Sequence, residues 1–176
     1  MKIRITMDDE PKDVIVLGAI KNGNRKFDKI QKIAKIDGDE LNSILEKLEE
    51  RGLINVEEKK GWLGKKIEIT VTEKGTREVE ERVHELQEKW NQMSALYKTG
   101  DKQKLQQYMD DNRSFLPMMM FFGVMDIMMF SMMFSMMGMA MSDYVPAESI
   151  PDGLEGGEGM DGGDMGDGGF DIDIGF

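Results

Sequence analysis

Polar and apolar residues follow a readable rhythm over the first hundred residues, then lose it. In residues 1–7, Ile3, Ile5 and Met7 alternate with Lys2, Arg4 and Thr6, the two-residue period of a short strand. Val14, Leu17 and Ile20 share one face of a helix that opens at Pro11 and ends at Asn22-Gly23. A second short helix is predicted to turn Phe27, Ile30 and Ile33 inward. After a turn at Asp37-Gly38, Asp39 is placed to cap a third helix. That helix carries Leu41, Ile44, Leu45 and Leu48 on one face, and Gly52 stands where a helix-ending glycine belongs. The period then returns to two. Ile54 and Val56, and later Ile67, Ile69 and Val71, flank a lysine-rich stretch around Trp62, which predicts a two-stranded hairpin with a basic tip.

Thr72 can cap the next helix, where Val79, Val83, Leu86, Trp90, Met93 and Tyr97 are spaced alternately four and three apart. This is the seam of a coiled coil, through which two chains would form a homodimer. An amphipathic helix packed on its own domain has the same pattern. Thr99-Gly100 stops the helix, and a shorter one from Asp101 to about Asp110 buries Leu105, Tyr108 and Met109.

From Phe115 to Met141 the alternation disappears. Twelve of the eighteen methionines lie between Met118 and Met141, and Asp126 is the one charge in the run. Read as a single helix opened by Pro117, it places Met125, Met128, Met129, Met132, Met136 and Met139 on one side. Ser131, Ser135, Gly138 and Ser142 form a narrow stripe on the other. Methionine is flexible and polarizable, and suits surfaces that fit several shapes. Four fates follow: burial in an assembly of identical chains, binding of hydrophobic protein segments, a membrane span, or Cu(I) ligation by thioethers. In composition the run resembles the methionine-rich signal-binding domain of the signal recognition particle and methionine-rich regions of tail-anchor chaperones. The span is long enough, but Asp126 costs roughly 2.5–3.5 kcal/mol at a helix centre. The metal reading lacks a His or Cys anchor.

Charge divides the chain. The net value of −11 arises entirely after residue 113, because residues 1–113 hold 23 basic and 23 acidic residues and residues 114–176 hold 11 acidic and no basic ones. The glycine-rich acidic tail, residues 143–176, is expected to be disordered. There is no cysteine, and the N-terminus lacks the apolar region of a signal peptide. A cytoplasmic location is expected, with membrane association left open by the methionine run. His84 is the one histidine and falls at an outward helix position. No nucleophile set, phosphate-binding loop or calcium loop is present, so no enzymatic activity, cofactor or metal is expected.

Three helices followed by a hairpin is the order of a winged helix-turn-helix. The run Leu48-Glu49-Glu50-Arg51-Gly52-Leu53-Ile54 resembles the exit from the third helix in the MarR-like and PadR-like winged-helix families. Ile69-Thr70-Val71-Thr72-Glu73-Lys74-Gly75 is similar to the segment that leaves their second wing strand. The likeness covers about residues 10–76. It implies an α+β winged helix-turn-helix domain over residues 1–76 and binding to double-stranded DNA as a transcriptional regulator. A coiled-coil and short-helix region (77–112), the Met-rich helix (115–142) and the acidic tail follow. Asn42, Ser43 and Lys47 on the third helix, and Lys59, Lys60, Trp62, Lys65 and Lys66 on the wing, are the expected DNA contacts. Asp37, Asp39 and Glu40 at the start of that helix oppose phosphate. An adaptor that docks on protein and shields hydrophobic segments with its methionines therefore stands as the alternative. The end of the chain, with Asp171, Asp173, Ile174 and Phe176, resembles the partner-docking tip of bacterial single-stranded-DNA-binding proteins, although Gly175 stands where those have proline.

Overall fold

The computed structural model describes residues 11–147 and Ile150. The strand expected in residues 1–7 and the tip at Asp171, Asp173, Ile174 and Phe176 lie outside the described residues.

Helices α1 (Pro11–Lys21), α2 (Phe27–Ala34) and α3 (Gly38–Glu50) are followed by the antiparallel pair β1 (Ile54–Gly61) and β2 (Gly64–Val71). Leu41, Ile44, Leu45 and Leu48 of α3 meet Val16, Leu17 and Ile20 of α1 and Ile30 of α2 in one apolar core, closed by Leu53, Ile54, Ile69 and Val79. Asp37, rather than the expected Asp39, caps α3: its carboxylate accepts from the Glu40 N–H at 2.8 Å. The cap bonds the third helical residue, so a helix that begins at Gly38 selects Asp37. Ile33, expected inside, is 38% exposed, because the two-turn α2 seals only Ile30 completely. One backbone bond ties the hairpin to the α1–α2 connection, and another closes its base. The Ile69 N–H donates to the Arg25 carbonyl at 3.0 Å, and the Thr72 N–H to the Leu53 carbonyl at 3.0 Å.

Helix α4 (Glu73–Thr99) is capped by Thr72 and ends at Gly100 with φ 73°. It is followed by α5 (Lys102–Asp111), capped by Asp101. The α4 seam is filled from within the chain. Leu86, Trp90 and Met93 are buried against Leu105 and Met109 of α5 and against the methionine-rich segment. Val79 belongs to the first core, Val83 packs against it, and Tyr97 packs against the second. A four–three spacing states that a partner covers the stripe, not which one. Here the partner lies further along the same chain.

The methionine run, expected as one helix, is two. A single-turn 3-10 segment (Arg113–Phe115) leads into α6 (Leu116–Phe121), and α7 spans Ile127–Met137. Gly123, at φ 64°, breaks the run, and the Asp126 carboxylate caps α7 through the Met129 N–H at 3.0 Å. Gly138, at φ 70°, ends α7. The small-residue stripe is thus divided, with Ser131 and Ser135 on α7 and Ser142 beyond its end, and is not one helix surface. Among the described residues, no helix is long and apolar enough to cross a membrane. The single charge of the run caps the N-terminus of α7.

Phe130, Met133 and Phe134 of α7 enter a second core with Leu116, Met119, Met141, Tyr144, Val145 and Ile150. The Phe130 and Phe134 rings meet edge to face at 4.8 Å, and Phe134 approaches Tyr144 at 5.3 Å. Buried side chains of this size each contribute roughly 1.5–3 kcal/mol, so the run is largely an internal core. The two cores meet at α1. Gly18 faces the Phe122 ring so closely that a Cβ there would lie 2.5 Å from it.

Candidate nucleic-acid interface

The hairpin register determines the chemistry of the wing. Lys59 lies opposite Lys66, and Lys60 opposite Lys65. Like charges directly across a strand pair are destabilising, so four lysines at one tip weaken the isolated hairpin. Two diagonal ion pairs offset part of that cost. Lys59 pairs with Glu68, and Lys65 reaches Glu58 at 3.5 Å. Arg25 also holds Glu68, at 2.9 Å. The hydrogen bond to Glu68 raises the Lys59 pKa, and the bonds from Lys59 and then Arg25 lower that of Glu68. Lys60 and Lys66 extend from the opposite faces of the hairpin and are exposed. Trp62 and Leu63 form the two-residue turn and are fully exposed, with Ile67 half-exposed below them. The structure therefore gathers Lys59, Lys60, Trp62, Lys65 and Lys66 at one tip. Leu63 and Arg25 join the site without having been anticipated: Leu63 lies in the turn itself, and Arg25 lies in a connection with no period to mark it.

Helix α3 is less suited to phosphate. Asn42 and Ser43 are exposed, beside exposed Asp39, Glu46, Glu49 and Glu50. Lys47, expected to reach DNA, bonds Asp13 of α1 at 2.6 Å, and Asp13 is 3% exposed. The ammonium thus holds a buried carboxylate and clamps α1 to α3. A second group of basic residues lies on and beside α2, where Lys26, Lys29, Lys32 and Lys35 are all exposed. His84 on α4 is exposed and faces Glu88 at 3.5 Å.

The expected methionine surface divides. Met125 is buried, and Met129, Met136 and Met139 pack against the second core. Met128 (61% exposed) and Met132 (49%) lie one turn apart on the open side of α7. A half-open apolar cavity of about 710 Å³ lies between α1, α2 and α6, lined among others by Ile15, Ile33, Met120 and Phe121.

These features define a winged helix-turn-helix module extended by a helical core of its own. The family model of the HxlR-like helix-turn-helix matches residues 10–98, half of the chain, and the chain belongs to that family. It is a family of DNA-binding regulators. No curated protein and no solved structure shows significant similarity to the chain.

Proposed function

We propose that this protein is a non-catalytic DNA-binding regulator that holds duplex phosphates with its wing. The observation that carries the reading is the pair of lysine–lysine oppositions at the tip. A fold retains such repulsion most readily where an anion relieves it, and the phosphates of a duplex supply a dense line of negative charge. Trp62 and Leu63 add an apolar contact at the same point. The acidic face of α3 leaves Asn42 and Ser43 as the polar readers, so affinity comes from backbone contacts more than from base choice. A cytoplasmic location goes with this role. The finer kinship with MarR-like and PadR-like regulators rests on the two short motifs at the ends of the wing.

Self-association belongs to the same reading. The α4 stripe is occupied within one chain, so a dimer would use the Met128–Met132 side of α7. The cavity between α1, α2 and α6 is suited to an apolar effector, which would couple the second core to α2. Reversing Lys59, Lys60, Lys65 and Lys66 to Glu tests the main claim: duplex binding at low salt is expected to vanish with helix content unchanged. Equal binding by the reversed chain would refute it.

One observation favours a second reading. Met128 and Met132 are exposed, soft and adjacent, which suits hydrophobic protein segments. On this adaptor reading, Met128→Lys with Met132→Lys abolishes hydrophobic-peptide binding. On the regulator reading the same change alters only the oligomeric state, measured by light scattering.

A further inference from the structure

The wing tip divides its chemistry between two faces. The register places Lys59 and Lys66 on one face with Glu57 and Glu68, and Ile67 on the other with Val56, Glu58, Lys60 and Lys65. Fully exposed Trp62 and Leu63 cross the end. A surface with cations on both faces and three exposed apolar side chains suits a ligand that is itself both acidic and apolar.

The last seven residues have that composition. Phe170, Ile172, Ile174 and Phe176 alternate with Asp171, Asp173 and Gly175. In an extended peptide, such alternation sends the acids to one side and the apolar groups to the other. All cations of the chain lie at or before Arg113, so the acidic end finds its countercharge only in the first two-thirds.

The chain is also long enough. Ile150 is buried in the second core, to which Leu86, Trp90 and Met93 of α4 also belong. From those α4 residues to the tip of the wing is a path of about 50–65 Å, following α4 back to Thr72 at 1.5 Å per residue and then the hairpin at 3.3 Å per residue. The 20 residues from Ile150 to Phe170 span up to about 66–72 Å.

We propose that the wing tip is a docking surface for an alternating acidic–apolar peptide, and that its occupant is residues 170–176 of the same chain. Asp171 and Asp173 pair with wing lysines while the Ile and Phe side chains cover Trp62, Leu63 and Ile67. The 20-residue tether has a relaxed span of about 22–27 Å and must be drawn out to reach the tip, which sets an effective concentration of about 0.1 mM, so a contact with a dissociation constant near that value suffices. The peptide uses the lysines that the proposed function assigns to phosphate, and in that respect the inference rests on that reading. The docking itself does not require DNA.

The test uses the full-length chain. Acrylamide quenching of Trp62 is isolated by subtracting the signal of the full-length Trp62→Phe protein, which retains Trp90. The native chain is expected to be about twofold less quenchable at Trp62 than the Asp171→Lys, Asp173→Lys chain. Adding Lys60→Glu and Lys66→Glu to the reversed tail is expected to restore protection. Each of those changes faces a remaining lysine across the hairpin and does not weaken the strand pair. Equal quenching of the native and tail-reversed chains would overturn the proposal. Protection that grows with protein concentration would assign the tip to a neighbouring chain and overturn it equally. Duplex affinity is expected to rise about two- to fivefold when the tail is reversed. If no chain binds duplex, the quenching comparison still decides the docking.

Discussion

Gly75 lets the first turn of α4 approach the base of the wing closely, and its substitution by Ala probes the fold at the point where the site is oriented. Thr72 caps α4 by accepting the Gly75 N–H at 3.0 Å, donates its hydroxyl to the Gly52 carbonyl at 2.7 Å, and bonds Leu53 through its own N–H. This places the Leu53 carbonyl against the first turn of α4. A Cβ on residue 75 would lie 2.1 Å from that oxygen and 2.8 Å from Cγ2 of Val71. The oxygen is backbone and cannot rotate away, so about an ångström of main-chain movement is required. Alanine gains at most about 1 kcal/mol from helix propensity. Overpacking costs roughly 1–3 kcal/mol, and displacing the Thr72 bonds costs about 1 kcal/mol for each one lost. A net destabilisation of about 2–3 kcal/mol is expected, or roughly 5–10 °C in melting temperature for a chain of this size. Thermal melts followed by circular dichroism measure it. Gly38→Ala is the control, because its Cβ would meet only the Phe27 ring at 3.9 Å. That change is expected to stabilise by about 0.4–1 kcal/mol. A Gly75→Ala protein that melts at or above the parent temperature would refute the close approach.

Other expectations follow from single contacts. Lys47→Ala leaves the buried Asp13 carboxylate without that ammonium. It is expected to lower stability by about 1–3 kcal/mol in urea denaturation, while the salt dependence of duplex binding stays as in the parent. Asp126→Ala removes the cap of α7 and is expected to cost roughly 0.5–2 kcal/mol by the same assay. Tyr144 donates its hydroxyl to Asp110 at 2.6 Å, and burial followed by that bond pushes its pKa up to about 12. The folded state therefore favours the neutral phenol. The resulting stability is complete below the unfolded value near pH 10, and is lost as pH rises from about 10 to 12. In Tyr144→Phe this part of the alkaline decline is expected to disappear from the stability–pH curve.

The winged domain was legible because each of its elements has a clean period and a stop signal. Ile54, Val56, Ile69 and Val71 alternate, Leu41 to Leu48 repeat helically, and Gly52, Thr72 and Gly100 mark the ends. The cap of α3 was misplaced by two residues because Asp37 and Asp39 offer the same carboxylate, and only the helix start decides between them. The methionine run was misread for a deeper reason. Where nearly every position is apolar, no face is distinguished and no period survives. Gly123 and Asp126 carried the available signal, a helix-ending glycine followed by a cap, but Asp126 read more readily as the charge that a membrane helix would have to tolerate. The α4 stripe was visible but its partner was not, because spacing records burial and not the origin of the covering surface. At the site, the lysines of the wing were anticipated as a cluster. Their opposition in pairs, and the engagement of Lys47 by Asp13, depend on register and on a long-range contact that no local pattern encodes.

The salt dependence of duplex binding tests the central claim most directly. The association constant of the full-length protein for a non-specific duplex is measured across a series of salt concentrations, beside Lys60→Ala, Lys66→Ala and the double substitution. Contacts by the four wing lysines are expected to contribute a slope of about −3 to −4 in log K against log salt, reduced by about one for each lysine removed. A slope unchanged by both substitutions, or the absence of any binding at low salt, would contradict a wing that holds phosphate.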